Sequence, residues 1–139
     1  MTTIDSTPAA RPAVPDVPDD CLVAARAADA KSGEETVILA MGDLLGVTDA
    51  FVVTNGHNTR QVKTIVDEVE RQVKLTSGRS PYRIEGMDDA FWVLMDYGDF
   101  LVHIFHEETR PYYDLEHLWG DAPRVSFDDG RRRRAAVED

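Results

Sequence analysis

Cysteine is almost missing from this chain, with Cys21 alone among 139 residues. One thiol forms no internal disulfide, so a cytoplasmic setting with reduced thiols is the expectation. Long apolar runs are missing too. No window approaches the roughly 18 uninterrupted apolar residues needed to span a bilayer, so no membrane partner is expected. Residues 1–18 lack the apolar stretch of a secretory signal and carry Pro8, Pro12, Pro15 and Pro18 among small and polar residues, which predicts a flexible N-terminal arm. With 42% hydrophobic and 29% charged residues, the remainder fits one globular domain. Two domains of this total length would each bury too little.

Basic residues are scarce in one stretch. Residues 85–116 hold nine acids and one base, whereas residues 21–84 hold eight of each and residues 117–139 hold five of each. Eight of the eleven excess negative charges therefore come from 32 consecutive residues. Such a stretch repels phosphate backbones, so no direct DNA binding is expected, and it attracts a basic protein surface. Acid that merely keeps the protein soluble is the competing explanation.

Asp19 and Asp20 can cap a helix from about Cys21 to Lys31, with Gly33 as its stop. Thr36–Met41 and Ala50–Thr54 are short, branched, continuously apolar runs, as expected for strands covered on both faces. Val62, Ile65, Val66, Val69 and Val73 fall at helical spacing, with cap residues in Gly56–Thr59 and a stop at Ser77-Gly78. Tyr82–Glu85, Phe91–Tyr97 and Phe100–His106 read as strands, the last two joined by Gly98-Asp99. Glycine first in a two-residue loop suits a type II′ hairpin. Thr109 and Pro111 open a short helix to Trp119, and residues 124–139 are expected as a flexible tail. This order predicts a single α/β (α+β) domain over residues 19–123, with a mixed five-stranded sheet and helices packed on it.

The hairpin assigns faces. With Gly98-Asp99 as the loop, Tyr97 lies beside Phe100, Met95 beside Val102, Val93 beside Ile104 and Phe91 beside His106, on a core face. The other face carries Trp92 beside Phe105, Leu94 beside His103 and Asp96 beside Leu101. A mixture of rings and polar groups suits either a docking partner or a cover supplied by this same chain.

Several chemistries find no support. His103 and His106, three apart on a strand, point to opposite faces, and no metal or cofactor is expected. Gly42–Gly46 joins two strands, so it offers neither the spacing nor the following helix that a phosphate cradle needs. Cys21 has no adjacent base. Asp96 and Asp99 flank a turn, where aspartates ordinarily bond to backbone. Arg131–Arg134 resembles a nucleic-acid patch but lies in an overall neutral tail.

A pattern does emerge from larger blocks: Val47-Thr48-Asp49-Ala50-Phe51-Val52-Val53-Thr54-Asn55-Gly56, Arg60-Gln61-Val62, Glu85-Gly86, the hairpin Trp92–Phe105, and Tyr113-Asp114-Leu115-Glu116-His117-Leu118-Trp119-Gly120-Asp121. Together they resemble the ribosomal silencing factor family, also called RsfS or Iojap, over about residues 20–124. The resemblance implies a nucleotidyltransferase-like topology without transferase chemistry. It further implies binding to the large ribosomal subunit at its universal protein L-fourteen, blocked joining of the small subunit and lowered translation. The contacts it implies are Trp92, Asp96, Tyr97, Asp99, His103, Glu107, Glu108, Arg110 and Tyr113, with carboxylates meeting Lys or Arg and rings giving buried area. A homodimer is compatible with the family. Two alternatives stand beside this reading: a nucleotidyltransferase-like enzyme, and an acidic adaptor for another basic protein. The enzyme would need a Gly-Ser pair opening a helix and an Asp-x-Asp strand to hold metal and triphosphate, and neither is in the sequence.

Overall fold

The computed structural model describes residues 17–42, 48–109 and 122–127. The expected helix from Pro111 to Trp119, residues 1–16 of the expected arm over 1–18, and the Arg131–Arg134 run lie outside the described residues.

Helix α1 (Asp19–Ala30) is alanine-rich, and Cys21, Ala24, Ala25, Ala27 and Ala28 are buried along it. Small side chains let α1 approach both its neighbouring helix and the sheet. Its cap differs from the sequence expectation. Pro18 occupies the N-cap without a side-chain hydrogen bond, and Asp19 and Asp20 sit in the first turn, where carboxylates meet the positive end of the helix. At the other end the left-handed residue is Ser32, with φ 64°, and not Gly33. Gly33 answers a different need: a Cβ there would lie 2.6 Å from Thr54 Oγ1 and 2.8 Å from the Ala28 carbonyl oxygen.

Strands β1 (Glu34–Ala40) and β2 (Ala50–Gly56) pair antiparallel. Helix α2 (Thr59–Ser77) follows β2 and buries the stripe Val62, Ile65, Val66, Val69 and Val73 that the sequence spacing predicts. Asn58 Oδ1 accepts the Gln61 N–H at 2.8 Å, and Gly78, with φ 76°, closes the last turn through its N–H to the Lys74 carbonyl. Strands β3 (Arg83–Glu85), β4 (Trp92–Asp96) and β5 (Phe100–His106) complete the domain with a two-residue strand β6 (Arg124–Val125). The sheet order is β3-β4-β5-β2-β1-β6, with β2 and β5 parallel and every other pair antiparallel. This is a mixed α+β domain.

Six strands replace the expected five. Strand β6 pairs Val125 with Ile38 and Arg124 with Leu39, and Phe127 beyond it is buried. The sheet therefore extends past residue 123, where the sequence reading began a tail. A two-residue strand is too short to show a period of two, which is why it reads as coil.

The hairpin register matches the expectation, with Trp92 opposite Phe105, Val93 opposite Ile104, Leu94 opposite His103, Met95 opposite Val102 and Asp96 opposite Leu101. Gly98 has φ 88° and is the one positive-φ residue of its two-residue loop, as a II′ turn requires. Val93, Met95, Tyr97, Phe100, Val102 and Ile104 pack under the two helices. On the other face Leu39, Met41, Phe51, Val53, Phe105 and Ala122 form a second, smaller buried cluster.

Candidate docking surface

The sheet face opposite the helices is divided. Its centre, at β5, β2 and β1, is buried, while towards the β3 edge Trp92, Leu94 and Asp96 share the surface with Arg83 and Glu85. The mixed face is thus covered in one half and open in the other.

At the turn end, the acids are already engaged. Asp96 Oδ1 accepts the Gly98 N–H at 2.8 Å, and its Oδ2 lies 3.4 Å from Arg83 Nε. Arg79, between α2 and β3, reaches the turn with a fork. It donates at 2.7 Å to Asp99 Oδ1 and to the Tyr97 carbonyl, and at 3.1 Å to Asp20 Oδ2, which also accepts from Ser77. The Asp99 hydrogen bond leads the forces holding the guanidinium above its usual range. Its Cζ lies 5.7 Å from the Tyr97 and Phe100 ring centres. Two helices and the hairpin turn are thereby locked by one side chain. The bases that neutralise Asp96 and Asp99 come from outside the acidic stretch, so charge that is unbalanced along the sequence is partly balanced in space.

Tyr97 is 1% exposed, and its hydroxyl is buried without a hydrogen-bond partner among the described residues. It packs on Phe100 with ring centres 4.7 Å apart. Tyr97, expected among the contacts, is instead a core side chain. The inward pleat of position 97 follows from the same alternation that turns Asp96 outward.

The open end, about 13 Å away at ~3.3 Å per strand residue, is built differently. Trp92 is 36% exposed. One side of its indole stacks on Phe105 with centres 5.3 Å apart, and its Nε1–H donates to His103 Nδ1 at 3.1 Å. His103 is 5% exposed, edge-on to Phe51, and its Nε2 is buried without a hydrogen-bond partner among the described residues. Burial pushes the imidazole pKa down to about 4, so the ring is neutral near pH 7. With Nδ1 accepting, the proton sits on Nε2. His103 is thus another expected contact that lies inside.

Glu107 and Glu108 are exposed just past β5. Glu107 holds His57 Nδ1 at 2.9 Å, and Glu34 meets His57 Nε2 at 3.0 Å. The hydrogen bond to Glu107, then the charge of Glu34, raise the His57 pKa. Candidate ligand atoms of these three residues lie within 4.8 Å of one another. A metal suits them poorly, because the carboxylates face opposite edges of the ring and one ion takes only one imidazole nitrogen. A doubly protonated imidazolium satisfies both. Arg110 and Tyr113 lie outside the described residues.

The sequence pattern described as "Ribosomal silencing factor during starvation" (RsfS) matches residues 14–139. The chain belongs to this family. It is 42% identical over 108 residues to the ribosomal silencing factor RsfS of Bacillus subtilis (strain 168), covering 78% of this chain and 91% of that protein. It is 38% identical over 91 residues to the mouse protein named "Mitochondrial assembly of ribosomal large subunit protein 1", covering 64% of this chain and 39% of that one. Among solved structures, a crystal structure of a protein from Chromobacterium violaceum superimposes with a TM-score of 0.71 at 30% identity, covering 83% of this chain and 94% of that one.

Sequence reasoning missed Arg79, and it left His57 as a lone histidine. Nothing local marks either one. Arg79 follows an ordinary helix stop, and the carboxylates that hold His57 come from β1 and from the end of β5. Among the described residues no helix is long and apolar enough to cross a membrane.

Proposed function

We propose that this protein is a translational silencer in the cytoplasm. It docks on the large ribosomal subunit at protein L-fourteen, blocks joining of the small subunit and so represses translation. One observation carries the reading: at the open end of the β4–β5 hairpin, Trp92 stays partly exposed while its indole is fixed from behind by Phe105 and His103. A rigid aromatic anchor beside carboxylates is the composition of a docking hot spot for a basic partner. Family membership supports the ribosome as the target, and the mouse relative's name refers to large-subunit assembly. The role is non-catalytic. Asp96 and Asp99, the acids nearest in kind to a metal-binding pair, are committed to the turn and to Arg79.

Cosedimentation with purified large subunits, followed by a subunit-joining assay, tests this. The wild-type protein is expected to pellet with large subunits and inhibit joining, and Trp92→Ala is expected to lose most of both effects while remaining folded. Failure of the wild-type protein to pellet would sink the proposal. Asp96→Lys with Glu107→Lys is a less clean test, since the pair also removes a turn bond and the His57 contact.

A further inference from the structure

We propose that His103 is the positioning residue of the docking surface: it holds the indole N–H of Trp92 from inside, so that a cationic side chain of the partner recognises the exposed ring by its π face and not by its N–H. The inference rests on the docking reading above.

Three features point there. The indole N–H is the one hydrogen-bond donor of tryptophan, and it is spent on His103 Nδ1 at 3.1 Å. The two rings lie edge to edge across that bond, with centres 6.0 Å apart and planes 28° from parallel, and the indole stacks on Phe105 at 5.3 Å and 23°. Hydrogen bond and stacking act together, because β5 places His103 and Phe105 two residues apart on the face that Trp92 crosses. The indole is therefore clamped along one side, and its freedom of tilt is removed before any partner arrives.

The second feature is what His103 costs. Its Nε2 is buried with no hydrogen-bond partner among the described residues. A leucine or phenylalanine at this position would fill similar space among Phe51, Trp92 and Phe105 without burying an unsatisfied donor. Among the described residues the histidine side chain makes one hydrogen bond, to Trp92. A solely space-filling role does not account for the choice of side chain. Positioning Trp92 does.

The third feature sets the partner's chemistry. Glu85 stands opposite Leu94 on the same strand face as Trp92, and Asp88 and Asp89 are exposed in the turn that leads into β4. Glu85 also lies 3.6 Å from Arg83, so it is chiefly the turn acids that draw an ammonium or guanidinium, which gains further from the ring quadrupole. Recognition through the indole N–H would require breaking the bond to His103.

The test uses the full chain, with purified large subunits and nitrogen-15-labelled protein. In the wild-type protein the Trp92 indole N–H resonance, assigned by its loss in Trp92→Phe, is expected to exchange slowly with water although the ring is partly exposed. Rapid exchange would overturn the proposal. His103→Leu, checked for folding by its melting transition, is expected to move that resonance to a solvent-like position and to weaken cosedimentation roughly three- to ten-fold, the cost of ordering one large side chain on binding. His103→Asn retains an acceptor at the δ position and is expected to recover both readouts in part. If the wild-type protein pellets and His103→Leu pellets equally well, His103 does not position the anchor. If the wild-type protein fails to pellet, the docking reading falls and takes this proposal with it.

Discussion

His103 makes a quantitative prediction about acid stability. In the folded protein its pKa is pushed down from 6.5 to about 4 by burial. Unfolding returns the ring to water, where it binds a proton near its ordinary value. Between those two values the unfolded chain holds the extra proton, so stability rises with pH across that window. The contribution of the neutral ring is complete above pH 6.5 and is lost as pH falls through about 4. At 1.36 kcal/mol per pKa unit the whole effect is worth ~3 kcal/mol, of which about 2 kcal/mol is gone by pH 5. No large discount for solvent applies, since the side chain is almost entirely covered. Urea denaturation of the wild-type protein and of His103→Leu at pH 7.5, 6.5, 5.5 and 5.0 measures it. With a denaturant slope of about 1–3 kcal/mol/M, the wild-type midpoint should fall by about 1 M urea more than that of the variant over this range. Protonation of other groups shifts both proteins alike and cancels in the comparison. Parallel pH dependence of the two proteins would refute the reasoning.

Tyr97→Phe removes a buried hydroxyl that has no partner, so it should raise stability by about 1 kcal/mol in thermal melting and leave large-subunit binding unchanged. A destabilised variant would mean that the hydroxyl has an acceptor in solution. Arg79→Ala strips the fork from Asp99, Tyr97 and Asp20, leaving the Asp20 carboxylate to Ser77 alone. Its cost should be about 1–2 kcal/mol, held down because the guanidinium is partly solvated. A double-mutant cycle with Asp20→Asn should show coupling, and strict additivity would dismiss the lock. His57 should titrate above 6.5 in proton NMR, because Glu107 and Glu34 favour its charged form. Its contribution to stability is full below pH 6.5 and disappears as pH rises through the raised value, and His57→Gln should abolish that component. An unshifted His57 would show that the two carboxylates do not hold it.

Much of the fold is legible without coordinates. Five valine and isoleucine positions at helical spacing determine α2 and the face it buries, because a 3.6-residue period admits one apolar stripe. Gly98-Asp99 determines the hairpin register, since a two-residue loop leaves one way to align the strands and the alternation of side chains does the rest. The separation of Tyr97 from Asp96, and of Val93 from Trp92, follows from that register. Family membership was likewise written in the sequence, in blocks long enough to be specific.

Tertiary structure alone decided how the mixed face is divided. Pleating places Trp92, Leu94, His103 and Phe105 on one side, but burial depends on strands distant in sequence: β1, the residue that follows it and β2 supply Leu39, Met41, Phe51 and Val53 around Phe105 and leave Trp92 at the margin. The same holds for charge. Asp96 and Asp99 belong to an acidic run in the sequence, yet Arg83 and Arg79 meet them across the sheet and from the helix end. His57 finds its two carboxylates for the same reason, because parallel pairing of β2 with β5 brings Gly56 beside His106 and so sets His57 next to Glu107. A local sequence pattern fixes periodicity and turns, which are properties of neighbouring residues. Which ring is sealed and which stays exposed is settled by long-range packing, and no window of sequence contains it.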